Sequence, residues 1–268
     1  MRAVLLRGRE HTAMEAIAEA SEGPVAVALS RGGAPKPYPH TDPNEDAALC
    51  ASGASGLLVA VADGHWGHRA SELALEHLLG AVAQDWTEGK SRGAAAWRLE
   101  ALGALVGTNR AVYAARSAEQ RSRTTVALAL ARLPENLLVA ASMGDSHVFR
   151  VSDEGPFELV AMRKARAFFL GERLSPAALE RVARVEVQSL DPCVALVAAT
   201  DGLSEEQIGV ADPLTAVRDA VAVGRARAAD ARAAGAARAL VEAALAAHRK
   251  RQAGDNVAVA TAWVGRGR

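Results

Sequence analysis

Short runs of apolar residues recur along the chain, and the clearest of them, residues 57–62, ends at an acidic residue. It is followed by Asp63, Gly64 and His65. A run of this length is too short for a helix and predicts a buried strand. Asp-Gly is common in hairpin turns, but residues 68–86 have the 3.6-residue period of an amphipathic helix and not the alternation of a second strand. Asp63 is therefore expected to close a strand and to precede a loop and a helix.

The pairing of an apolar run with an acid is repeated at other strand ends. The acids concerned are Glu45 with Asp46, Asp63, Asp145, Asp201 and Asp255. Carboxylates that neighbouring strands bring together repel one another and raise one another's pKa unless a cation neutralises them. Oxygen ligands without clustered cysteine or histidine suit magnesium, manganese or calcium better than zinc. The pattern therefore indicates a site for divalent metal ions at the ends of the strands.

The order of the predicted elements indicates an α+β fold. Strands are predicted at 25–29, 47–51, 57–62, 124–133, 137–142, 147–151, 185–187, 194–200 and 257–264, and helices at 68–86, 95–117, 212–223 and 236–250. Because neighbouring strands are joined by short turns, the sheets are expected to be antiparallel, with helices covering their faces.

Two shorter helices are also expected. The apolar spacing over 14–18 predicts one within an N-terminal extension, residues 1–23. The other follows Ser175, which would cap the helix, with Pro176 in its first turn. Residues 24–268 contain no internal repeat and no linker, so they are expected to form a single domain.

The composition narrows the classes of partner and the compartment. The 31 basic and 31 acidic residues give a formal net charge of zero, so no overall basic field attracts nucleic acid or an anionic membrane. Arg163, Lys164 and Arg166 nevertheless form a local basic patch. Neither Cys50 nor Cys193 belongs to a CxxC pattern, which favours a reducing cytoplasm. No apolar run reaches membrane-spanning length, and the N-terminal one is too short for a signal peptide.

Six short motifs follow one another at the predicted strand edges. They are Asn-Glu-Asp at 44–46, Asp-Gly-His-Trp-Gly at 63–67, Thr-Thr at 124–125, Gly-Asp-Ser at 144–146, Thr-Asp-Gly-Leu at 200–203 and Gly-Asp-Asn at 254–256. Their order and rough spacing resemble those of the metal-dependent serine/threonine protein phosphatases of type 2C. The resemblance covers residues 25–264. It implies two stacked antiparallel β-sheets flanked by helices, an α-β-β-α sandwich, with metal ions in a cleft at one edge.

The resemblance also implies which residues hold the metal ions. Two manganese or magnesium ions are expected, with a third, weaker one. Asp63 would bridge the two ions, and the Gly64 carbonyl would join the second. The other ligands implied are Asp201 and Asp255 for the first ion, Glu45 and Asp46 for the second, directly or through water, and Asp145 near the third.

The activity implied by the resemblance is metal-dependent hydrolysis of phosphoserine and phosphothreonine in proteins. In a two-metal site, a hydroxide that bridges the ions attacks the phosphoryl group. The leaving alkoxide needs a proton, and His65, two residues after Asp63, matches the general acid proposed for the family. The expected partners are a phosphorylated protein and an opposing serine/threonine kinase. The chain is expected to be a monomer that acts in cytoplasmic signalling, with no nucleic acid or membrane partner.

Some positions depart from the pattern of the family. Thr41 stands where the family usually has an arginine that grips the substrate phosphate, and Arg31 or protonated His40 are candidates to replace it. His147 stands where an arginine often follows Gly-Asp-Ser, and the Asp-His segment usual after that strand is not evident over 157–184. These departures leave open an alternative, a catalytically weak or inactive metal-binding module used for protein interaction. The complete set of acids favours the enzyme.

Overall fold

The computed structural model describes residues 1–118, 120–160 and 168–265, so the basic patch at 163–166 lies outside the described residues. The strands are β1 (Arg2–Arg7), β2 (Ala18–Glu22), β3 (Val25–Ser30), β4 (Ala47–Ser52), β5 (Gly56–Ala62), β6 (Gly64–His65), β7 (Arg123–Thr124), β8 (Val126–Arg132), β9 (Leu137–Met143), β10 (His147–Ser152), β11 (Gly155–Glu158), β12 (Arg184–Ser189), β13 (Ala195–Ala199) and β14 (Val257–Trp263). The α-helices are α1 (Arg69–Leu78), α2 (Gln84–Glu88), α3 (Ala94–Ala114), α4 (Pro176–Val182), α5 (Pro213–Arg225) and α6 (Arg232–Arg251). A π-helical turn, Leu79–Ala83, joins α1 to α2.

The strands form two six-stranded sheets and one short pair. The first sheet has the order β1-β4-β5-β8-β9-β12, and the second has the order β11-β10-β13-β14-β3-β2. Every neighbouring pair in both sheets is antiparallel. The short pair is β6 with β7, at the point where the chain leaves β5. The antiparallel arrangement expected from the short connections is therefore confirmed.

The two sheets stack face to face, and helices cover the outer face of each. Successive side chains of a strand point to opposite faces, so β4 contributes to two layers. Ala47, Leu49 and Ala51 pack in the cluster that contains α1 and α3, whereas Ala48 and Cys50 pack in the cluster between the sheets. The helices α5 and α6 cover the outer face of the second sheet. The expected α-β-β-α sandwich is confirmed, and burial on both faces explains why the strands read as continuous apolar runs.

The N-terminal residues add an edge strand to each sheet. β1 pairs with β4 at one edge of the first sheet, and β2 pairs with β3 at one edge of the second. The short helix expected over 14–18 is wrong. Residues 14 and 15 lie in a turn, and the chain enters β2 at Ala18. Residues 18–22 alternate between half-buried and exposed positions, which is the two-residue period of an edge strand and not a helical spacing.

The helix expected after Ser175 is confirmed. Its first turn begins at Pro176, and the Ser175 hydroxyl accepts a hydrogen bond from Ala178 N at 3.2 Å. Asp212 caps α5 in the same way, through Leu214 N and Thr215 N. Among the described residues, none of the helices combines the length and the apolar character that crossing a lipid bilayer requires.

Candidate metal centre

Four aspartates meet where strands of the two sheets end. Asp63 follows β5, Asp145 lies between β9 and β10, Asp201 follows β13, and Asp255 precedes β14. Ligand oxygens of Asp63, Asp145 and Asp201 lie within 4.8 Å of one another, and so do those of Asp201, Glu205 and Asp255. Each of the four aspartates is less than one-tenth exposed. Because Asp201 belongs to both sets, the structure brings all four predicted aspartates into one cluster.

The acid cluster is a poor environment for uncompensated negative charge. Burial, followed by the charge of Asp201, raises the pKa of Asp63 well above its usual range and that of Asp255 to about 6. Asp63 Oδ2 is buried and accepts no hydrogen bond from the described residues, although His65 Nε2 lies 3.3 Å away. A divalent cation would satisfy this oxygen and neutralise the cluster, and an all-oxygen donor set fits magnesium or manganese.

Glu45 and Asp46 lie immediately before β4 and are both buried, but neither belongs to the two sets of mutually close oxygens. Thr200 Oγ1 donates a hydrogen bond to Asp46 Oδ2 at 2.7 Å. Burial, followed by the charge of Asp255, raises the pKa of Asp46 to about 8. Glu45 Oε1 accepts backbone N–H groups at 3.0, 3.0 and 2.7 Å from Thr41, Asp42 and Gly67. Its other oxygen, Oε2, is the one that faces Lys36.

The short pair β6–β7 positions Gly64 and His65 beside the cluster. A side chain at residue 64 would clash, because a Cβ there would lie 2.3 Å from the Glu45 carbonyl oxygen. His65 Nε2 lies 3.3 Å from Asp63 Oδ2, and the imidazole meets the Phe169 ring edge-on with centroids 4.6 Å apart. Burial lowers the pKa of His65, so the ring is mainly neutral at neutral pH.

Lys36 is a site residue that the sequence analysis did not single out. Its side chain is 7% exposed, and Nζ lies 3.4 Å from Asp255 Oδ1 and 3.8 Å from Glu45 Oε2. Although burial disfavours the ammonium, the surrounding carboxylates, led by Asp255, raise the pKa of Lys36 above its usual value. Nζ also lies 5.5 Å from the centroid of the Tyr38 ring. The loop between β3 and β4 therefore delivers a buried cation to the acid cluster.

Glu205 is the second site residue that the sequence analysis did not single out, and it is an acid of the cluster. The 3₁₀ turn Asp201–Leu203 reverses the chain, and Glu205 N donates a hydrogen bond to the Asp201 carbonyl at 2.6 Å. This local bond brings the side chains of Asp201 and Glu205 to the same side of the turn. The four-residue spacing after Asp201 was the available signal, because residues four apart in a helical turn lie on one face.

Sequence comparison identifies the family of the chain. The profile of the family described as protein phosphatase 2C matches residues 39–246. The chain belongs to the protein phosphatase 2C family. It is therefore a protein serine/threonine phosphatase, an enzyme whose substrates are phosphorylated proteins. A comparison with curated proteins found no match.

Solved structures of bacterial phosphatases share the fold of this protein phosphatase 2C chain. The catalytic domain of the phosphatase PstP in complex with two manganese ions is 19% identical, with 94% of this chain and 100% of that one covered and a TM-score of 0.64. MsPP from Mycobacterium smegmatis is 22% identical, with coverages of 94% and 99% and a TM-score of 0.58. The serine/threonine phosphatase of S. agalactiae is 18% identical, with coverages of 93% and 100% and a TM-score of 0.64. At these identities the likeness establishes the fold.

The phosphatase has no arginine at the position that the family usually gives to phosphate binding. Thr41 is exposed there. The two residues expected as replacements make other contacts: Arg31 Nη1 donates to the Thr12 carbonyl at 3.1 Å, and His40 Nδ1 lies 3.2 Å from the Tyr38 carbonyl. Both side chains are therefore engaged with backbone carbonyls, and their replacement of the family arginine stays a prediction.

His147 stands where the family often has an arginine after Gly-Asp-Ser, and it contacts a second loop of the site. Its Nε2 lies 2.5 Å from Ser204 Oγ, three residues after Asp201, and its Nδ1 contacts Glu158. The ring also stacks on Phe149 at a centroid distance of 5.5 Å. In this phosphatase, residue 147 therefore links the Gly-Asp-Ser turn to the Thr-Asp-Gly-Leu turn, which helps to fix Asp201.

His248 of α6 anchors the loop that carries Lys36. Its Nδ1 accepts a hydrogen bond from Gly33 N at 3.2 Å, and its Nε2 lies 2.8 Å from the Gly202 carbonyl. The ring is fully buried, and burial lowers the pKa of His248. The neutral imidazole with a proton on Nε2 satisfies both bonds at once. A protonated His248 would lose the acceptor that holds Gly33.

Replacing His248 by glutamine is expected to change how the stability of the phosphatase depends on pH. Since the folded-state pKa of His248 lies below the unfolded value of about 6.5, the unfolded chain binds this proton more readily. The stability that His248 contributes is therefore lost as the pH falls through about 6.5. Wild type should be the more stable protein at pH 7.5. As the pH falls below about 6.5, the advantage of wild type over His248→Gln in unfolding free energy should shrink by up to about 1.4 kcal/mol per pH unit.

Urea denaturation of both proteins at pH 7.5 and pH 5.5 would measure this difference. Comparing the two proteins removes the contribution of the acid cluster, which both retain. The variant His11→Gln provides the control for a histidine outside the site. A difference between wild type and His248→Gln that is the same at both pH values would contradict the prediction.

Proposed function

We propose that this phosphatase hydrolyses phosphoserine and phosphothreonine in proteins at a centre that binds two manganese or magnesium ions, with a third held more weakly. The observation that carries the proposal is the set of four buried aspartates whose oxygens lie within 4.8 Å of one another in two overlapping groups. Such a set is costly to keep without a bound cation. The two manganese ions bound to the related PstP domain support the same choice of metal.

The ligands proposed for each ion are those that the resemblance to the family implies, and the proximity of the four aspartates supports part of this set. Asp63, whose Oδ2 accepts no hydrogen bond from the described residues, would be shared between two ions, and the Gly64 carbonyl would contribute to the second. The remaining ligands proposed are Asp201 and Asp255 for one ion, Glu45 and Asp46 for the second, and Asp145, with Asp201, for the third. When bound, the ions would supply an activated water and positive charge for the phosphate oxygens.

His65 is proposed to donate a proton from Nε2 to the serine or threonine oxygen that leaves. Its Nε2 faces the cluster, 3.3 Å from Asp63 Oδ2, and the edge-on Phe169 ring restricts its rotation. Serine and threonine alkoxides are poor leaving groups, so protonation of the oxygen lowers the barrier. Because burial lowers the pKa of His65, only a minor fraction of the ring is protonated at neutral pH. The protonated ring, however, is a stronger acid than an imidazolium of ordinary pKa.

A second candidate function is a weak or inactive phosphatase that binds metal and serves in protein interaction. The observation that favours it is Thr41, which offers no guanidinium to grip a substrate phosphate. Under this alternative the ions would bind without turnover. The two functions therefore differ in activity and not in metal binding.

The remaining parts of the proposal concern the setting of the enzyme. Residues 24–268 are proposed to be the catalytic domain, with residues 1–23 adding β1 and β2 to its edges. A reducing cytoplasm is proposed because Cys50 and Cys193 are free, and burial raises the pKa of each thiol to about 12. A monomer that opposes a serine/threonine kinase in signalling completes the proposal.

Hydrolysis of p-nitrophenyl phosphate with manganese, with magnesium and with EDTA would test the proposed function. Turnover is expected with a divalent ion, should disappear in EDTA, and should return when manganese is added in excess. Asp201→Asn should be inactive, whereas Asp230→Asn, at an exposed position, should behave as wild type. Manganese binding without turnover of this substrate or of a phosphopeptide would favour the inactive module.

A further inference from the structure

A lysine ammonium lies inside the acid cluster. We propose that Lys36 is an exchangeable counter-ion: it neutralises the cluster when no metal is bound, and it moves to the substrate phosphate when divalent ions displace it. The inference rests on the proposed function, because it requires that the acids bind divalent ions. It assigns to Lys36 the phosphate contact for which Thr41 provides no guanidinium.

The contacts of Lys36 place its charge among the proposed metal ligands. Nζ lies between Asp255 Oδ1 at 3.4 Å and Glu45 Oε2 at 3.8 Å, and the side chain is 7% exposed. Asp255 lies in the same group of close oxygens as Asp201, whereas Glu45 is held by backbone N–H groups of the loop. Burying a lysine to this extent is costly unless it is paired. The ammonium therefore supplies part of the positive charge that the cluster needs.

The ammonium and divalent ions cannot share these carboxylates. Both would use the oxygens of Asp255 and Glu45, and cations a few ångströms apart in a poorly solvated site repel one another strongly. Binding of one must therefore weaken binding of the other by the same factor. Divalent ions, held by more oxygens and carrying twice the charge, should displace the ammonium.

The backbone that carries Lys36 is fixed, so displacement moves only the side chain. Pro35 and Pro37 flank the lysine and restrict the chain, and the Pro35 carbonyl accepts Gly254 N at 2.9 Å. On the other side of the loop, Asn256 Nδ2 donates to the carbonyls of Arg31 and Pro43, at 2.9 Å each. The displaced ammonium would thus stay near the acid cluster, within the reach of the lysine side chain.

A substrate phosphate is the anion that fits this position. A phosphate monoester held by ions at the acid cluster would present anionic oxygens near Lys36, and lysine binds phosphate as a point charge without the geometry of a guanidinium fork. Arg31 bonds to the Thr12 carbonyl outside the loop, and His40 lies against the Tyr38 carbonyl within it. Lys36 should therefore strengthen phosphate binding only after the metal ions have bound.

Amine labelling of the wild-type protein tests this exchange without any substitution. A lysine-reactive reagent and mass spectrometry would compare three samples: protein in EDTA, protein with manganese, and protein with manganese and inorganic phosphate. Lys36 is expected to react slowly in EDTA, at least several-fold faster with manganese, and slowly again when phosphate is added. Lys250, which is exposed at the end of α6, is the internal control and should react equally in all three samples.

Calorimetry on Lys36→Met, with Lys250→Gln as the matched control, tests the same exchange in equilibrium terms. A charge-assisted contact typically changes affinity by about tenfold or more. Lys36→Met should therefore bind manganese alone about tenfold more tightly than wild type, and its manganese-loaded form should bind inorganic phosphate about tenfold more weakly. Lys36→Arg retains the charge and should keep both affinities close to those of wild type.

Each outcome separates this inference from the proposed function. If wild type does not bind manganese, the proposed function fails first. If wild type binds manganese but labelling of Lys36 is the same in all samples, the exchange is wrong even if Lys36→Met does not fold. Tighter manganese binding by Lys36→Met with unchanged phosphate binding would overturn the contact with phosphate. Unchanged affinities for both probes would overturn the inference as a whole.

Discussion

Replacing Asp63 by asparagine is expected to abolish most of the divalent-ion binding of this phosphatase, and with it the hydrolysis of phosphopeptides. A ligand that binds only the folded state stabilises it by about 2.7 kcal/mol at a concentration of about 100 times its Kd. Wild type should therefore gain several degrees in Tm with manganese, whereas Asp63→Asn should gain little. In EDTA, Asp63→Asn should be the more stable of the two proteins. Burial and Asp201 raise the pKa of Asp63, which shows that its negative charge is costly in the folded state, and asparagine carries no charge.

Differential scanning calorimetry of both proteins, in EDTA and in manganese, provides the measurement. Asp201→Asn should behave like Asp63→Asn, because Asp201 belongs to both sets of mutually close oxygens. Asp230→Asn removes an exposed carboxylate and should keep the full gain in Tm. If Asp63→Asn kept the same gain as wild type, Asp63 would not be a ligand and the arrangement proposed for the ions would be wrong.

Replacing His65 by glutamine is expected to slow hydrolysis of a phosphoserine or phosphothreonine peptide by about 10²–10⁴-fold, the usual contribution of a general acid. Hydrolysis of p-nitrophenyl phosphate should suffer much less, because p-nitrophenolate leaves without a proton. The reason for choosing His65 is its position, with Nε2 facing the cluster 3.3 Å from Asp63 Oδ2. Steady-state kinetics on both substrates at saturating manganese would measure the two losses.

The difference between the two substrates is the decisive part of this result. A change that merely disturbed the metal centre would slow both substrates to the same extent, and calorimetry would report weaker manganese binding. His11→Gln is the control for loss of an imidazole outside the site. Equal losses on both substrates, with manganese binding intact, would show that His65 does not donate the proton.

The sequence predicted the fold and most of the acids because both depend on local patterns. An apolar run that is too short for a helix and ends in an acid marks a strand end, and antiparallel pairing brings such ends to one edge. Asp63, Asp145 and Asp201 follow this pattern, Asp255 instead precedes the last strand, and the structure gathers all four. The order of the motifs was also specific enough to indicate the family that the sequence profile identifies.

The parts that the sequence did not predict depend on loops and weak local signals. Lys36 lies in a loop rich in proline and glycine, and nothing local shows that its side chain turns inward to Asp255 and Glu45. Glu205 reaches the cluster through a single 3₁₀ turn, which has no periodicity of its own. The short helix predicted over 14–18 shares only Ala18 with β2, and β2 itself was not predicted because its five residues are small or acidic and contain no apolar run.

The central claim, that the acid cluster makes this chain a metal-dependent protein phosphatase, is tested most directly by phosphate release from a phosphothreonine peptide. Wild type and Asp63→Asn would be assayed side by side in manganese, in EDTA, and in EDTA followed by excess manganese. Wild type is expected to release phosphate with manganese, to release none in EDTA and to recover when manganese is added back, and Asp63→Asn is expected to release none in any condition. Release by wild type that is equal in manganese and in EDTA, or no release while calorimetry reports bound manganese, would contradict it.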